Sequence, residues 1–158
     1  MQHSIIINPQ KSVGSVRRGG LHPPYKQALL KKIVRNDVLY KIFTEAIGAG
    51  PLDGGCYALA KALWKILGGE LYSLSGINLK GARQAEHVVL KLGAVYWDAD
   101  GCSTKGAFLK RWQEEEWVKM PELRPFKETD VSESPRDNGL IKRVVEHLTG
   151  GGSIHLAK

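Results

Sequence analysis

The chain has 158 residues, of which 42% are hydrophobic and 25% are charged, as is typical of a single globular domain. Its apolar runs are only a few residues long, which excludes a membrane-spanning helix, and its start lacks the apolar core and cleavage site of a signal peptide. Two cysteines are too few for a disulfide-rich secreted scaffold. We therefore expect a protein of the cytoplasm, or one delivered into the cytoplasm of a target cell.

The formal net charge of +7 is compatible with an acidic partner or a nucleic acid. No stretch, however, interleaves basic with aromatic residues as a base-stacking surface does. We interpret the basic pairs as solvated faces, among them Lys31-Lys32, Lys110-Arg111 and Lys142-Arg143. The expected partner is a protein or peptide-like substrate. Nucleic-acid binding is not favoured, neither a membrane nor a cofactor is expected, and the oligomeric state is left open.

The first part of the chain is predicted to be an arm followed by helices. Residues 1–24 contain several glycines and prolines with little periodicity, and residues 5–7 are a candidate edge strand. Residues 25–48 carry apolar side chains at helical spacing, with a candidate break at Asn36-Asp37 and a stop signal at Gly48. The clearest helix follows directly after this region.

That helix is predicted over residues 54–67, with Asp53 as its N-cap and Gly68-Gly69 at its end. Cys56 is expected about three residues inside it. Later in the chain, alternating apolar residues on both sides of Gly93-Ala94 predict a β-hairpin. The remaining predicted elements are a strand over 70–75, a loop over 76–85, hairpin strands over 87–92 and 95–99, a helix over 106–118, a long loop over 121–138 and a helix over 139–148.

Helices before and after a small antiparallel sheet indicate an α+β fold. We expect residues 25–149 to form a single domain, with 150–158 as a flexible tail that opens on three glycines. No internal repeat is present in the sequence.

Cys56 is the first candidate for chemistry. At the start of a helix, free backbone N–H groups and the positive end of the helix dipole stabilise a thiolate, the reactive form of cysteine. Gly54 and Gly55 leave room there for the backbone of a substrate. Cys56 also shares an apolar stripe with Leu59, so a buried core cysteine is an alternative, as is a disulfide with Cys102.

His87 opens the first hairpin strand, and two carboxylates follow on the second. If Gly93-Ala94 is a two-residue turn of type II′, His87 lies opposite Asp100 and Val89 lies opposite Asp98. Cross-strand partners share a face, as do residues two apart, so the imidazole and both carboxylates would project from one side. This pairing makes Asp100 the direct partner and Asp98 the diagonal one. A three-residue loop would move both carboxylates to the other face.

Together these groups have the composition of a thiol nucleophile system. A carboxylate beside His87 would fix the tautomer of the imidazole, which would take the proton of Cys56. The alternatives for the Asp98-Ala-Asp100-Gly101 segment are a turn cap and a metal-binding loop. The segment lacks the later glutamate of a calcium loop, and the chain has no paired-ligand spacing for zinc, so we expect no metal.

The segment from Gly55-Cys56 through His87 to Asp98 and Asp100 resembles the papain-like cysteine hydrolase superfamily, most closely its transglutaminase-like and arylamine N-acetyltransferase-like branches. The resemblance covers residues 52–102, roughly a third of the chain. It implies a papain-like fold and an acyl-enzyme formed on Cys56, with His87 as general base and acid and an aspartate as the orienting group. It further implies that the backbone N–H of Cys56 donates to the oxyanion.

The resemblance is incomplete at the oxyanion site. Papain-type enzymes carry a glutamine several residues before the cysteine, whereas residues 48–52 are Gly-Ala-Gly-Pro-Leu. Gln84 and Tyr57 are candidate replacements, and Tyr57 also stands where some branches have a tryptophan beside the cysteine. The candidate substrate-binding residues are Gly55, Tyr57, Gln84 and Trp97.

Two functions of different classes follow from these observations. The first is a cysteine-dependent hydrolase or acyltransferase that acts on an amide, isopeptide or ester bond. The second is a non-catalytic basic interaction protein, an inhibitor or adaptor on the same scaffold, which binds a protein or a nucleic acid. A structural domain with Cys56 in its core is a third, weaker hypothesis.

Overall fold

The computed structural model describes residues 21–131 and 138–151, and within them the predicted α+β class is confirmed. Five α-helices, one 3-10 helix and a five-stranded antiparallel sheet are present in these ranges. The elements are α1 (Pro23–Ile33), α2 (Asp37–Ile47), α3 (Cys56–Leu67), β1 (Glu70–Ile77), β2 (Arg83–Leu92), β3 (Val95–Asp98), β4 (Gly101–Thr104), α4 (Lys105–Glu114), β5 (Glu122–Pro125), the 3-10 helix (Glu128–Val131) and α5 (Asn138–Thr149). None of these helices is long and apolar enough to cross a bilayer.

The candidate strand at residues 5–7, most of the predicted arm and most of the predicted tail lie outside the described residues. The arm was predicted to reach residue 24, but α1 already begins at Pro23, since proline suits the first positions of a helix.

The predicted break in the long N-terminal helical region is confirmed. Arg35 has a left-handed φ of 48°, which separates α1 from α2. The side chain of Asn36 then accepts a hydrogen bond of 3.0 Å from the backbone N–H of Leu39 and caps α2. At the other end, Gly48 has a φ of 67° and closes the helix, as its position in the sequence predicted.

The start of α3 differs from the prediction, because Gly55 and not Asp53 is its N-cap. The residues before it form a turn, in which the carbonyl of Gly50 accepts the N–H groups of Asp53 and Gly55 at 3.2 and 3.1 Å. Gly54 continues this turn with a φ of 103°. Cys56 is therefore the first helical residue and not the third.

The sheet has the strand order β4-β3-β2-β1-β5. Leu92 pairs with Val95 across the Gly93-Ala94 turn, and Gly93 has a φ of 61°, so the predicted two-residue hairpin is confirmed. β1 and β2 are longer than predicted and shorten the loop that joins them.

Helices cover both faces of the sheet. The larger core cluster contains residues of α3 and the β2 and β3 residues Val88, Leu90 and Trp97. The smaller cluster joins Phe108 and Trp112 of α4 to the opposite face of the sheet, which includes Val89 and Tyr96. α4 ends at Glu114, four residues before the predicted helix end.

The predicted long loop over 121–138 is wrong in part, because it contains β5 and the 3-10 helix. An edge strand of four residues that ends in proline gives little sequence signal. Asp130 anchors the segment, since its carboxylate accepts hydrogen bonds of 2.6 Å from Arg124 and 2.7 Å from Ser73. The end of this predicted loop, residues 132–137, lies outside the described ranges.

Candidate active site

The sheet opens at the point where Cys56 and His87 meet. Pairing between β2 and β3 reaches Leu90 opposite Trp97 and goes no further. In this hairpin, Val88 directs its N–H to the same side as Leu90, toward the space that β3 has left. That N–H lies near the sulfur of Cys56 and lowers the pKa of its thiol. The opening thus lets a thiol from the α3 side reach an imidazole held on the α4 side.

Cys56, the first residue of α3, has an imidazole and two backbone N–H groups as stabilising neighbours. Its side chain is almost buried, and the residue is 8% exposed. Burial by itself raises the pKa of the thiol, but the imidazole of His87 and the backbone N–H groups of Val88 and Tyr57 outweigh it, so the pKa is lowered. The site therefore favours a thiolate.

The imidazole of His87 contacts the carboxylate of Asp98 and packs on the ring of Trp112. Its Nε2 atom lies 3.2 Å from Oδ2 of Asp98, and its ring lies 4.5 Å from the ring of Trp112. Nδ1 is buried and has no hydrogen-bond partner within the described structure. Because Nε2 is committed to Asp98, Nδ1 is the nitrogen available to the thiol of Cys56.

The charge environment of His87 favours an imidazolium. Burial lowers the pKa of the imidazole. The carboxylate of Asp98 and the sulfur of Cys56 outweigh this effect and raise the pKa to about 9. Burial raises the pKa of Asp98, but His87 and then Arg111 outweigh this effect and lower it. These shifts thus move the site toward a thiolate and an imidazolium oriented by a carboxylate.

The preference for Asp100 as the direct partner of His87 is wrong, because Asp98 holds the imidazole. The β2–β3 ladder ends before the two residues can face each other, and β3 turns at once into β4. Asp100 lies in that turn, where its exposed side chain faces Nη1 of Arg111 at 3.7 Å. Its N–H donates to Oδ1 of Asp98 at 2.9 Å, so Asp98 is both the turn cap and the orienting group.

Two side chains that contact the site were not expected from the sequence, and both are on α4. Arg111 was assigned to a solvated face, but its Nη2 donates to Oδ2 of Asp98 and its side chain is 19% exposed. Trp112 packs on the ring of His87. The sequence held one signal for these positions. Phe108 and Trp112 are four residues apart and mark the buried face of α4, and Arg111 lies beside that face because it is three residues from Phe108.

The predicted substrate-binding residues have mostly structural positions. Trp97 is 1% exposed in the core under α3, and Tyr57 stacks on Phe126 with ring centres 5.6 Å apart. Gln84 is exposed, and its amide bonds to Asn78 and Glu86.

Gly55 has a packing role, and its predicted clearance for a substrate stays a prediction. A Cβ atom at this position would lie 2.7 Å from the carbonyl oxygen of Gly50 and would overlap the ring of Phe43. The absence of a side chain therefore lets α2 pack against the start of α3.

The structure excludes the disulfide alternative, because Cys56 and Cys102 are both free thiols. Within residues 21–131 and 138–151, no group of three or more His, Cys, Asp and Glu side chains could hold a metal ion.

No protein-family model, curated protein or solved structure matches the chain. The assignment of a function therefore depends on the geometry of this chain's own residues.

Proposed function

We propose that the protein is a cysteine-dependent hydrolase or acyltransferase of the papain-like type, which acts on an amide, isopeptide or ester carbonyl. The observation that carries the proposal is that the buried imidazole of His87 interacts with the Cys56 thiol at a helix N-terminus and with the carboxylate of Asp98. The thiol faces an imidazole whose other nitrogen is committed to a buried carboxylate. A protein or peptide-like substrate is the proposed partner.

The first chemical step is attack on the carbonyl carbon. The Cys56 thiolate forms a carbon–sulfur bond, and the carbonyl electrons move to the oxygen. The N–H of Cys56 lies at the first position of α3, where a helix has no internal acceptor for it, and it is the proposed donor to this oxyanion. The tetrahedral intermediate then collapses, and the imidazolium of His87 gives its proton to the departing amine or alcohol.

The second step resolves the thioester. The neutral imidazole of His87 removes a proton from water or an amine, which attacks the acyl carbon and releases the sulfur as a thiolate. Water gives hydrolysis and an amine gives acyl transfer. Asp98 keeps the ring in one orientation during both steps and balances its charge.

The proposal is tested with iodoacetamide, a probe that reacts with thiolates. A Cys102→Ala background leaves one thiol, and the alkylation rate is measured against pH. We expect the rate to rise at a pH below about 8.5, where an ordinary thiol ionises. His87→Ala should return the rise to about that pH, because the thiolate then has no imidazolium beside it.

Turnover is tested with 4-nitrophenyl acetate as a simple acyl donor. Cys56→Ala in the same background should abolish hydrolysis, and a burst of nitrophenol would indicate an acyl-enzyme. If Cys56 alkylates like an ordinary thiol, the enzyme proposal fails. Binding to a polyanion that is lost on raising salt, and that Cys56→Ala does not change, would then favour the basic interaction protein.

A further inference from the structure

Arg111 touches the carboxylate that orients the catalytic histidine. Its Nη2 atom donates to Oδ2 of Asp98, the same oxygen that faces Nε2 of His87. Its Nη1 atom lies 3.7 Å from Oδ2 of Asp100, and its guanidinium carbon lies 5.0 Å from the centre of the Phe108 ring. Oδ2 of Asp98 thus contacts both the imidazole of His87 on β2 and the guanidinium of Arg111 on α4.

The partial burial of Arg111 opposes folding, which is not expected of an arginine on a solvated face. Its side chain is 19% exposed, and its Nε atom is buried with no hydrogen-bond partner in the described part of the chain. Leaving a buried donor unsatisfied opposes folding. The charge of Asp98 compensates for this burial, so the guanidinium and the carboxylate are energetically linked.

A fixed cation at this place changes both members of the reactive pair. It attracts the thiolate of Cys56 and repels the imidazolium of His87. The thiol then ionises at lower pH, and the imidazolium also gives up its proton at lower pH. Besides Cys56 and His87, the titratable and charged groups around this site are Asp98 at the end of β3, Asp100 in the turn after it, Arg111 and Glu115 on or beside α4, Tyr40 on α2 and Asp53 before α3.

We propose that Arg111 is a positioning residue that shares Asp98 with His87 and thereby sets the pH range in which the pair is a thiolate and an imidazolium. This inference rests on the proposed function and adds a fourth residue to it. Arg111 acts through Asp98 and does not take part in a bond-making step.

The test compares Arg111→Gln with Arg111→Lys, each with Cys102→Ala in the full chain. Gln keeps a hydrogen-bond donor near Asp98 but removes the charge, whereas Lys keeps the charge. We expect the onset of iodoacetamide alkylation in Arg111→Gln to move up by about one pH unit, as removal of a nearby charge in a partly buried site predicts. Arg111→Lys should stay closer to the parent than to Arg111→Gln.

A purely structural role would lower the melting temperature of Arg111→Gln without moving the onset, and that result would overturn the inference. If Arg111→Gln does not fold at the assay temperature, Arg111→Met tests the same shift with a side chain that fills the apolar space beside Phe108. The two proposals fail separately. A parent that alkylates like an ordinary thiol contradicts the proposed function, whereas a low onset in both the parent and Arg111→Gln contradicts only the role of Arg111.

Discussion

At the scale of single residues, Asp98 connects the local turn to the chemistry. Oδ1 accepts the N–H of Asp100 and closes the turn between β3 and β4, and Oδ2 faces His87 and Arg111. The turn bond limits the rotation of the carboxylate, so the backbone itself aims Oδ2 at the imidazole. The backbone N–H of Asp100 makes the turn bond, whereas its side chain is exposed.

This division of labour predicts different effects for two matched substitutions. Asp98→Asn keeps the turn bond through its amide oxygen but places an N–H donor opposite Nε2 of His87, which favours the wrong tautomer. We expect kcat/KM for 4-nitrophenyl acetate to fall by about 10²-fold or more. Asp100→Asn removes only an exposed ion pair, and the loss should be less than about fivefold.

Melting curves of both variants separate catalysis from folding. Asp98→Asn must remain folded at the assay temperature for its rate to be interpreted. Equal losses of kcat/KM in the two variants would mean that the imidazole is not oriented by Asp98.

At the scale of elements, the start of α3 depends on close contact with α2. Gly55 lies where a Cβ atom would overlap the ring of Phe43, and its N–H bonds to the carbonyl of Gly50 at 3.1 Å. This contact determines where the helix begins, and therefore where the sulfur of Cys56 stands. The predicted N-cap at Asp53 was reasonable from residue type alone, but the turn from Gly50 to Gly54 moves the helix start past it.

Gly55→Ala and Gly106→Ala are a matched pair that tests this packing. A Cβ at Gly106 meets nothing within 4 Å, and this residue is inside α4. We expect Gly55→Ala to lower the free energy of unfolding by about 1–3 kcal/mol through overpacking, and Gly106→Ala to leave it unchanged or raise it by up to about 1 kcal/mol. Urea unfolding measures both. A stable Gly55→Ala with unchanged alkylation of Cys56 would contradict the packing role.

Features of the structure were predicted correctly where residues close in sequence determine them, and were missed where contacts between distant elements determine them. The hairpin turn and the helix end at Gly48 were correct, because a glycine at a left-handed φ decides each of them within a few residues. The choice between Asp98 and Asp100 was wrong, because it depends on where the β2–β3 ladder stops. Arg111 was missed for a similar reason, since its partner lies 13 residues away on another element.

At the scale of the whole molecule, two buried carboxylates attach outer elements to the sheet. Asp98 binds Arg111 of α4, and its side chain is 2% exposed. Asp130 follows the same principle at the other edge, where its 4% exposed side chain binds Arg124 of β5 and Ser73 of β1. Both carboxyl groups are favoured in their charged form, so the attachment of these elements depends on pH.

The sign of this dependence follows from the pKa of Asp130. Burial raises this pKa, but Arg124, Ser73 and the N–H of Lys127 outweigh burial, so the pKa in the folded protein is lowered. A lowered pKa means that the stabilisation is present above the unfolded value of about 3.9 and is lost as pH falls through the folded value. We expect Asp130→Asn to unfold about 1–3 kcal/mol more easily than the parent at pH 7.

That difference should shrink as the pH is lowered below about 4, because the parent then loses the charge that the variant never had. Urea midpoints for the two proteins at pH 7 and at about pH 3 measure it. Glu116→Gln, at an exposed carboxylate, controls for the general effect of removing one negative charge. A difference between Asp130→Asn and the parent that is as large in acid as at neutral pH would mean that hydrogen bonding by the neutral side chain, and not the ion pair with Arg124, holds β5 and the 3-10 helix on the sheet.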